Sequence, residues 1–221
     1  MRYELKFRFN EHDQEKFCTW LNSIKNLNKV FEERSINNIY YDDVNYSSAN
    51  DNIIGLPYRE KYRMRWYKDI NNNISKPLFE IKIKKNRLNY KKIFPINENI
   101  ENLYLDKIFS LKNNYFNFNP INYKLSSYHN LLKPVLKNIY SREYYLFENK
   151  IRITVDKPCK YFDLLSNKKK KYFQNFNILE IKFEPKDILL AKNLTRNIPF
   201  NLSRFSKYIH GLLILKKLNF Y

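Results

Sequence analysis

Polar and apolar residues alternate over many short segments of the chain, and this period of two predicts β-strands. In the first segment Glu4, Lys6 and Arg8 alternate with aromatic and aliphatic residues. The same pattern predicts eight strands, at about residues 2–9, 35–42, 58–68, 78–85, 89–96, 134–147, 150–156 and 177–184. Because most connections between them are short, we expect antiparallel pairing.

Apolar residues at helical spacing predict a few helices between and after these strands. The predicted helices run from Asn10 to about residue 27, over 98–111, from Pro185, and from about Arg204 to Leu215. Residues 112–130 and the run Lys168–Lys171 are expected to be irregular. The chain shows neither a repeat nor a long linker, so the sequence predicts a single α+β domain over residues 1–221.

The polar faces of the predicted strands are mainly cationic. Arg59, Lys61, Arg63 and Arg65 share one face of a single strand. Like charges about 7 Å apart repel by about 2 kcal/mol at an effective dielectric near 20. An ordinary half-buried sheet would turn such a face to water. Several adjoining cationic rows are better explained by an anion that lies between them. We therefore expect a closed eight-stranded antiparallel β-barrel, or tunnel, with its cations inside and helices flanking it.

The composition indicates a polyanionic partner and excludes the glycine-rich loops that often bind phosphate. Lys and Arg total 41 against 22 acidic residues, a formal net charge of +19. The two glycines, Gly55 and Gly211, exclude a Walker A loop and a GxGxxG loop, so side chains must hold any phosphate. Cys18 and Cys159 lack metal-binding spacing and suggest reduced thiols. With no apolar leader or membrane-length run, we expect a cytoplasmic protein without a transmembrane segment.

Eight motifs, spread in order from residue 2 to residue 211, resemble the polyphosphate polymerase domain of the vacuolar transporter chaperone (VTC) complex, a branch of the triphosphate tunnel metalloenzymes. The motifs are Arg2-Tyr3-Glu4-Leu5-Lys6, Arg63-Met64-Arg65-Trp66-Tyr67, Glu80-Ile81-Lys82, Lys91 before Phe94-Pro95-Ile96, Tyr140-Ser141-Arg142, Arg152-Ile153-Thr154-Val155-Asp156, Leu179-Glu180-Ile181-Lys182, and Arg204-Phe205-Ser206-Lys207-Tyr208 with His210-Gly211. The resemblance implies transfer of the γ-phosphate of ATP to a growing polyphosphate chain inside an eight-stranded tunnel.

The resemblance also implies roles for individual residues. The residues expected to act in catalysis are Arg63, Arg65, Arg142, Arg152 and Lys207. Those expected to bind phosphate or nucleotide are Lys6, Lys82, Lys91, Tyr140, Arg204 and Ser206, joined by Lys61 and Lys182 from the cationic rows. Glu180 is expected to hold Mn²⁺ or Mg²⁺, whereas Glu4, Glu80 and Glu184 are interpreted as salt-bridge spacers between cations.

Two other functions stay open at this point. One is a metal-dependent hydrolase of tripolyphosphate or nucleoside triphosphates, although Arg2 stands where such hydrolases usually have a glutamate, which favours transfer. The other is a module that binds polyphosphate or nucleic acid without turnover. Nucleic acid is the less expected partner, because many aromatic residues alternate away from the basic faces. A separate membrane protein is a further expected partner, and His210 could lie near the tunnel mouth.

Overall fold

The computed structural model describes residues 2–69, 75–86, 88–96, 132–166 and 171–218. Its strands are β1 (Tyr3–Asn10), β2 (Leu27–Asp42), β3 (Tyr58–Lys68), β4 (Leu78–Lys85), β5 (Leu88–Pro95), β6 (Lys133–Phe147), β7 (Ile151–Asp156), β8 (Lys160–Asp163), β9 (Lys171–Phe173) and β10 (Phe176–Phe183). Its α-helices are α1 (Gln14–Ser23), α2 (Ser47–Ile54), α3 (Ile188–Thr195) and α4 (Lys207–Ile214), and short 3₁₀ turns cover Glu11–Asp13 and Pro185–Asp187. None of these helices has the length and apolar character needed to cross a bilayer.

The described strands form one antiparallel sheet in the order β1-β10-β7-β6-β2-β3-β4-β5, and β8 joins β6 to β9. The expected antiparallel, strand-rich α+β fold is therefore confirmed. The expected closed barrel of eight strands is wrong in two respects. The described residues contain ten strands, and neither β1 nor β5 pairs with the other to close the sheet.

The outer edge of β1 does not pair with β5, because the segment before α4 lies along that edge. Phe7 makes an isolated bridge to Leu202, and the Ser203 N–H donates to the Lys6 carbonyl at 2.8 Å. Side chains, not strand ladders, then cross the gap between the two halves of the sheet. Glu4 of β1 lies 3.8 Å from the Lys82 ammonium of β4. The sheet is thus curled, with one concave face.

Two hydrophobic cores lie on the convex face, opposite the charged rows. The first packs β1, β7 and β10 against α1 and α3, and its most buried members include Ile151, Ile153, Leu179 and Ile181. The second lies on β2, β3 and β4, around Ile39, Met64 and Ile81. These cores confirm that the apolar exterior of the curled sheet is covered, in part, by helices.

A third core lies on the concave side, where α4 packs into one end of the curl. Tyr208 and Leu212 of α4 contact the cluster that contains Leu136 and Tyr140 of β6. The approach is close at Gly211, where a Cβ atom would lie 2.6 Å from Leu136 Cδ2. Only glycine allows this contact, so α4 blocks that end of the concave face and its first turn points at the cationic rows.

Several predicted elements differ from the structure. The first helix ends at Ser23 instead of near residue 27, because Asn26 adopts a left-handed conformation (φ 58°) that starts β2 eight residues earlier than expected. Helix α2 was not predicted. Lys171 begins β9 and is not in a loop. The predicted helix over 98–111, the irregular stretch 112–130 and Lys168–Lys170 lie outside the described residues.

Candidate phosphate-binding site

A row of three lysines crosses the concave face at right angles to the strands. Lys61 of β3 lies directly opposite Lys82 of β4, and Lys82 lies opposite Lys91 of β5. We call Lys61, Lys82 and Lys91 the lysine row. Directly opposed like charges on neighbouring strands destabilise a sheet. Burial, with the nearby Lys6 charge, lowers the pKa of Lys82 to about 8 although Glu4 acts in the opposite direction.

Glu80 neutralises part of this charge. Its carboxylate accepts a hydrogen bond from Arg63 Nε at 2.5 Å and another from Lys91 Nζ at 2.8 Å, and Arg65 Nε lies 3.9 Å away. Burial alone would raise the pKa of Glu80, but these three cations lower it to about 2. Glu80 is therefore ionised throughout the physiological range, and it holds Arg63 and Lys91 in place as a spacer would.

Asp156, at the end of β7, gathers cations from two other elements. It is fully buried, and it pairs with Arg142 of β6 and with Lys207 at the start of α4; Arg142 Nη2 donates to Asp156 Oδ2 at 2.7 Å. The Lys207 ammonium also lies over the Tyr140 ring, 4.4 Å from its centre. We call Asp156, Arg142, Lys207 and Tyr140 the Asp156 cluster.

The ion pairs of this cluster favour the charged forms of both Asp156 and Lys207. Burial opposes ionisation of Asp156, yet Arg142 and Lys207 lower its pKa below the usual value. Burial likewise opposes the charge on Lys207, yet Asp156 raises its pKa. Asp156 ends the motif that begins at Arg152, but no role was predicted for it. The signal was available, since a buried carboxylate between expected arginines must have a cationic partner.

Arg65 is oriented by two asparagines that sequence reasoning did not single out. Arg65 Nε donates to Asn38 Oδ1 at 2.7 Å, and Asn38 Nδ2 donates to Asn138 Oδ1 at 2.8 Å. Arg65 Nη2 also lies 3.4 Å from the Tyr140 hydroxyl. Both asparagines are fully buried, and each is a polar residue two positions from apolar or aromatic residues on its strand, which was the missed signal. This network connects Arg65 to the Asp156 cluster.

Glu180, on β10, lies among cations on the same concave face. It forms an ion pair with Lys182, and its Oε2 is 3.9 Å from Arg142 Nη2. Burial opposes its ionisation, but Lys182, Lys6 and Arg142 lower its pKa well below the usual value. Lys6 itself contacts Glu4 at 2.8 Å. Glu180 is therefore a permanent carboxylate at the centre of the face.

The donor set around Glu180 fits a metal ion that arrives with its substrate. Within the described ranges, no three His, Cys, Asp or Glu side chains come together as a cation cage. Mg²⁺ does not need such a cage, because it commonly binds one or two carboxylates and completes its shell with water and substrate phosphate oxygens. The ionised Glu180, in a face rich in phosphate-binding cations, meets that requirement.

The remaining expected residues lie near the rim or at α4. Arg152 shares a face with Thr154 and is opposite Lys182, but its side chain is exposed, as is Arg204. Ser206 accepts a hydrogen bond from Lys61 Nζ at 3.1 Å and does not cap α4. Without a side-chain cap, the N-terminus of α4 favours an anion.

The sequence left open whether His210 lies near the tunnel mouth. In the structure it packs among the rings of Tyr161, Phe176 and Phe205, and burial with the nearby Arg8 charge lowers its pKa. We therefore assign His210 a packing role.

The concave face thus brings together most of the expected residues. The cations on it are Lys6, Lys61, Arg63, Arg65, Lys82, Lys91, Arg142, Lys182 and Lys207, and the carboxylates are Glu4, Glu80, Asp156 and Glu180. Because the cations outnumber the carboxylates, the face keeps a positive potential that the protein does not cancel. A chain of phosphates has the charge and the oxygen acceptors to cancel it.

Comparisons with known proteins identify the family and the fold. The family model described as the VTC domain matches residues 1–216. No curated protein matches the chain. Among solved structures, the PH1819 protein of Pyrococcus horikoshii OT3 is similar with a TM-score of 0.57 and 18% identity, over 98% of this chain and 99% of that one.

Two further structures share the fold. A candidate adenylyl cyclase from Hippeastrum, described as having a dominant triphosphatase activity, is similar with a TM-score of 0.55 and 14% identity, over 99% of this chain and 98% of that one. A candidate adenylate cyclase from Bacillus halodurans has a TM-score of 0.56 and 10% identity, over 95% and 96% of the two chains. At these identities the likeness shows the fold alone.

Proposed function

Because the chain belongs to the VTC domain family and has the fold of the triphosphate tunnel metalloenzymes, we propose that it is an ATP-dependent polyphosphate polymerase. It transfers the γ-phosphate of ATP to the end of a polyphosphate chain. The observation that carries this proposal is the uncancelled positive charge of the concave face. Cations from β1, β3, β4, β5, β6, β10 and α4 lie on it, and three of them, Lys6, Arg142 and Lys182, act on Glu180.

Phosphoryl transfer needs positioning and charge neutralisation more than covalent help, since its transition state is loose. Arg63, Arg65 and Arg142 can each bind two phosphate oxygens through their planar guanidinium groups, and their carboxylate and amide partners hold them in fixed orientations. Lysines act beside them as point charges. The acceptor is a terminal phosphate, which is already largely ionised at neutral pH, so the reaction needs no general base.

Glu180 would hold Mn²⁺ or Mg²⁺. Such an ion would supply positive charge against the phosphate groups during transfer. Lys182 and Lys6, the neighbours of Glu180, keep that carboxylate ionised before any metal arrives.

The test is incubation of the purified protein with ATP and Mn²⁺, followed by gel separation of polyphosphate and measurement of ADP and orthophosphate. We expect long chains together with ADP, and loss of both with Glu180→Gln. The matched control is Glu184→Gln, which changes a partly exposed glutamate just after the same strand. Wild-type protein that consumes no ATP and binds no polyphosphate would contradict the proposal.

A triphosphatase is the second candidate, and the similar Hippeastrum structure, with its described triphosphatase activity, favours it. The same assay separates the two reactions, because a triphosphatase releases orthophosphate and makes no chains. Arg2 stands at an exposed position where a hydrolase of this fold would be expected to carry a glutamate, so we prefer transfer. Orthophosphate release without polymer would reverse that preference.

A further inference from the structure

Lys61 differs from Lys6, Lys82 and Arg63, the cations beside it on the concave face, because each of those three has a carboxylate nearby. Lys6 is 2.8 Å and Lys82 is 3.8 Å from Glu4. Arg63 pairs with Glu80. Lys61 Nζ instead donates to the Ser206 hydroxyl, and no described carboxylate lies within ion-pair distance of it.

The groups that face Lys61 are almost all positive. Lys82 lies opposite it on β4, Lys6 reaches it from β1 across the gap in the sheet, and Arg59 and Arg63 lie on either side of it on β3. From the segment before α4 comes only the neutral hydroxyl of Ser206. An ammonium group in this position is desolvated and repelled at the same time.

From this geometry we propose that Lys61 is uncharged while the site is empty and takes up a proton when a phosphate chain binds. The inference rests on the proposed function and adds to it a coupling between polyanion binding and proton uptake. The hydrogen bond to Ser206 does not oppose this, because a neutral amine can donate it as well as an ammonium can. Burial, followed by the charges of Lys82 and Lys6, lowers the pKa of Lys61 well below its ordinary value in the free protein.

A bound phosphate chain reverses the field at Lys61. Its oxygens place negative charge among Lys6, Lys61 and Lys82, which favours the protonated amine and raises its pKa again. Between the pKa of the free protein and that of the complex, binding therefore consumes a proton. By linkage the affinity falls as the pH rises through that interval, by up to about tenfold per pH unit.

Calorimetric titration with tripolyphosphate, without metal, measures this uptake directly. The titration is made near pH 8 in two buffers of different protonation enthalpy, since the buffer supplies the proton and contributes its heat. Tripolyphosphate itself exchanges protons, so the comparison is made with Lys61→Arg, whose guanidinium stays charged at any accessible pH. We expect the wild type to take up on the order of one proton more than Lys61→Arg. Lys160→Arg, an exposed lysine on β8, serves as the control and should match the wild type.

A second variant keeps the test informative if arginine does not fit. Lys61→Met preserves the length of the side chain and removes the titrating group, so it should also lose the extra proton and bind more weakly. Equal proton uptake in the wild type and in both variants would overturn the inference and leave the proposed function standing. Failure of the wild type to bind tripolyphosphate at all would overturn the proposed function and the inference with it.

Discussion

The Asp156 cluster and the lysine row lie on the same concave face but are built in opposite ways. In the cluster, a fully buried carboxylate fixes Arg142 and Lys207 before any ligand is present. In the row, Lys61 and Lys82 face each other across neighbouring strands. Glu4 is 3.8 Å from Lys82 and Glu80 pairs with Lys91, but no carboxylate among the described residues pairs with Lys61. The charges of the Asp156 cluster are balanced within the protein, whereas the charge of the lysine row is balanced only when an anion binds.

This difference assigns different tasks to the two regions. Pre-paired cations have fixed positions and lose little freedom when substrate binds, which suits them to orient the reacting phosphate. Lysines whose counter-charges are distant or absent gain most when a polyanion arrives, which suits them to draw a chain into the site. The folding stability of the free protein therefore depends on the Asp156 cluster and is reduced by the lysine row.

Removing the carboxylate of the cluster should have the largest effect. Asp156→Asn removes the closest counter-charge of Arg142 and the paired carboxylate of Lys207, so we expect the free energy of unfolding to fall by about 3–5 kcal/mol and turnover to be lost. Urea denaturation measures the first and ATP consumption the second. The matched control is Asp13→Asn, an exposed ion pair with Lys16 on the convex side, which should change stability little. A stable Asp156→Asn protein would show that the cluster does not hold the fold.

Removing a charge from the lysine row should raise the free energy of unfolding, which is opposite to the effect of Asp156→Asn. Lys82→Met relieves its repulsion with Lys91 on β5 and with Lys6, so the free energy of unfolding should rise by up to about 1 kcal/mol. Affinity for tripolyphosphate should fall about tenfold or more, because a charged donor to phosphate is lost. The control is Lys85→Met, an exposed lysine at the end of the same strand.

The stability gain in Lys82→Met should also depend on pH. The folded pKa of Lys82 is about 8, below the ordinary 10.5, so folding disfavours its protonated form. The penalty is complete below about pH 8, where Lys82 is charged in both states, and it disappears as the pH rises towards 10.5. Urea midpoints of the two proteins should therefore converge over that interval. A constant difference would show that repulsion at Lys82 is not its cause.

The strands that carry this comparison could largely be predicted from the sequence. Strands β3 and β4 occur at the expected residues 58–68 and 78–85, because their alternation is long and regular. Their cationic residues were assigned to one face for the same reason. What alternation could not provide was the pairing order, which depends on which strands meet in space and decides that Lys61, Lys82 and Lys91 form a row.

Elements that depend on distant contacts were missed. Strand β8 has only four residues, too few for a pattern, and it forms because β6 offers a partner edge. Helix α2 begins where Asp42 and Asp43 accept hydrogen bonds from its first N–H groups, and Asp42 is also bonded by the Tyr208 hydroxyl at 2.5 Å, 166 residues away. The closed barrel was wrong for a similar reason, since nothing in the local sequence shows that the segment near Ser203 occupies the edge of β1.

The smallest predicted effect concerns the Thr154 hydroxyl on β7, next to the Asp156 cluster. Among the described side chains of β7, it is the one buried polar group without a hydrogen-bond partner. Thr154 lies opposite Glu180 in the sheet, and its buried hydroxyl has no hydrogen-bond partner. A phosphate oxygen would satisfy it, so Thr154→Val should weaken tripolyphosphate binding by about two- to tenfold. Because no bond is lost in the free protein, urea denaturation should show no loss of stability, whereas a partnered hydroxyl would show one. Thr19→Val, on exposed α1, should leave binding unchanged. Unaltered affinity with reduced stability in Thr154→Val would mean that the hydroxyl serves the fold, and that the cluster is complete without a ligand at this position.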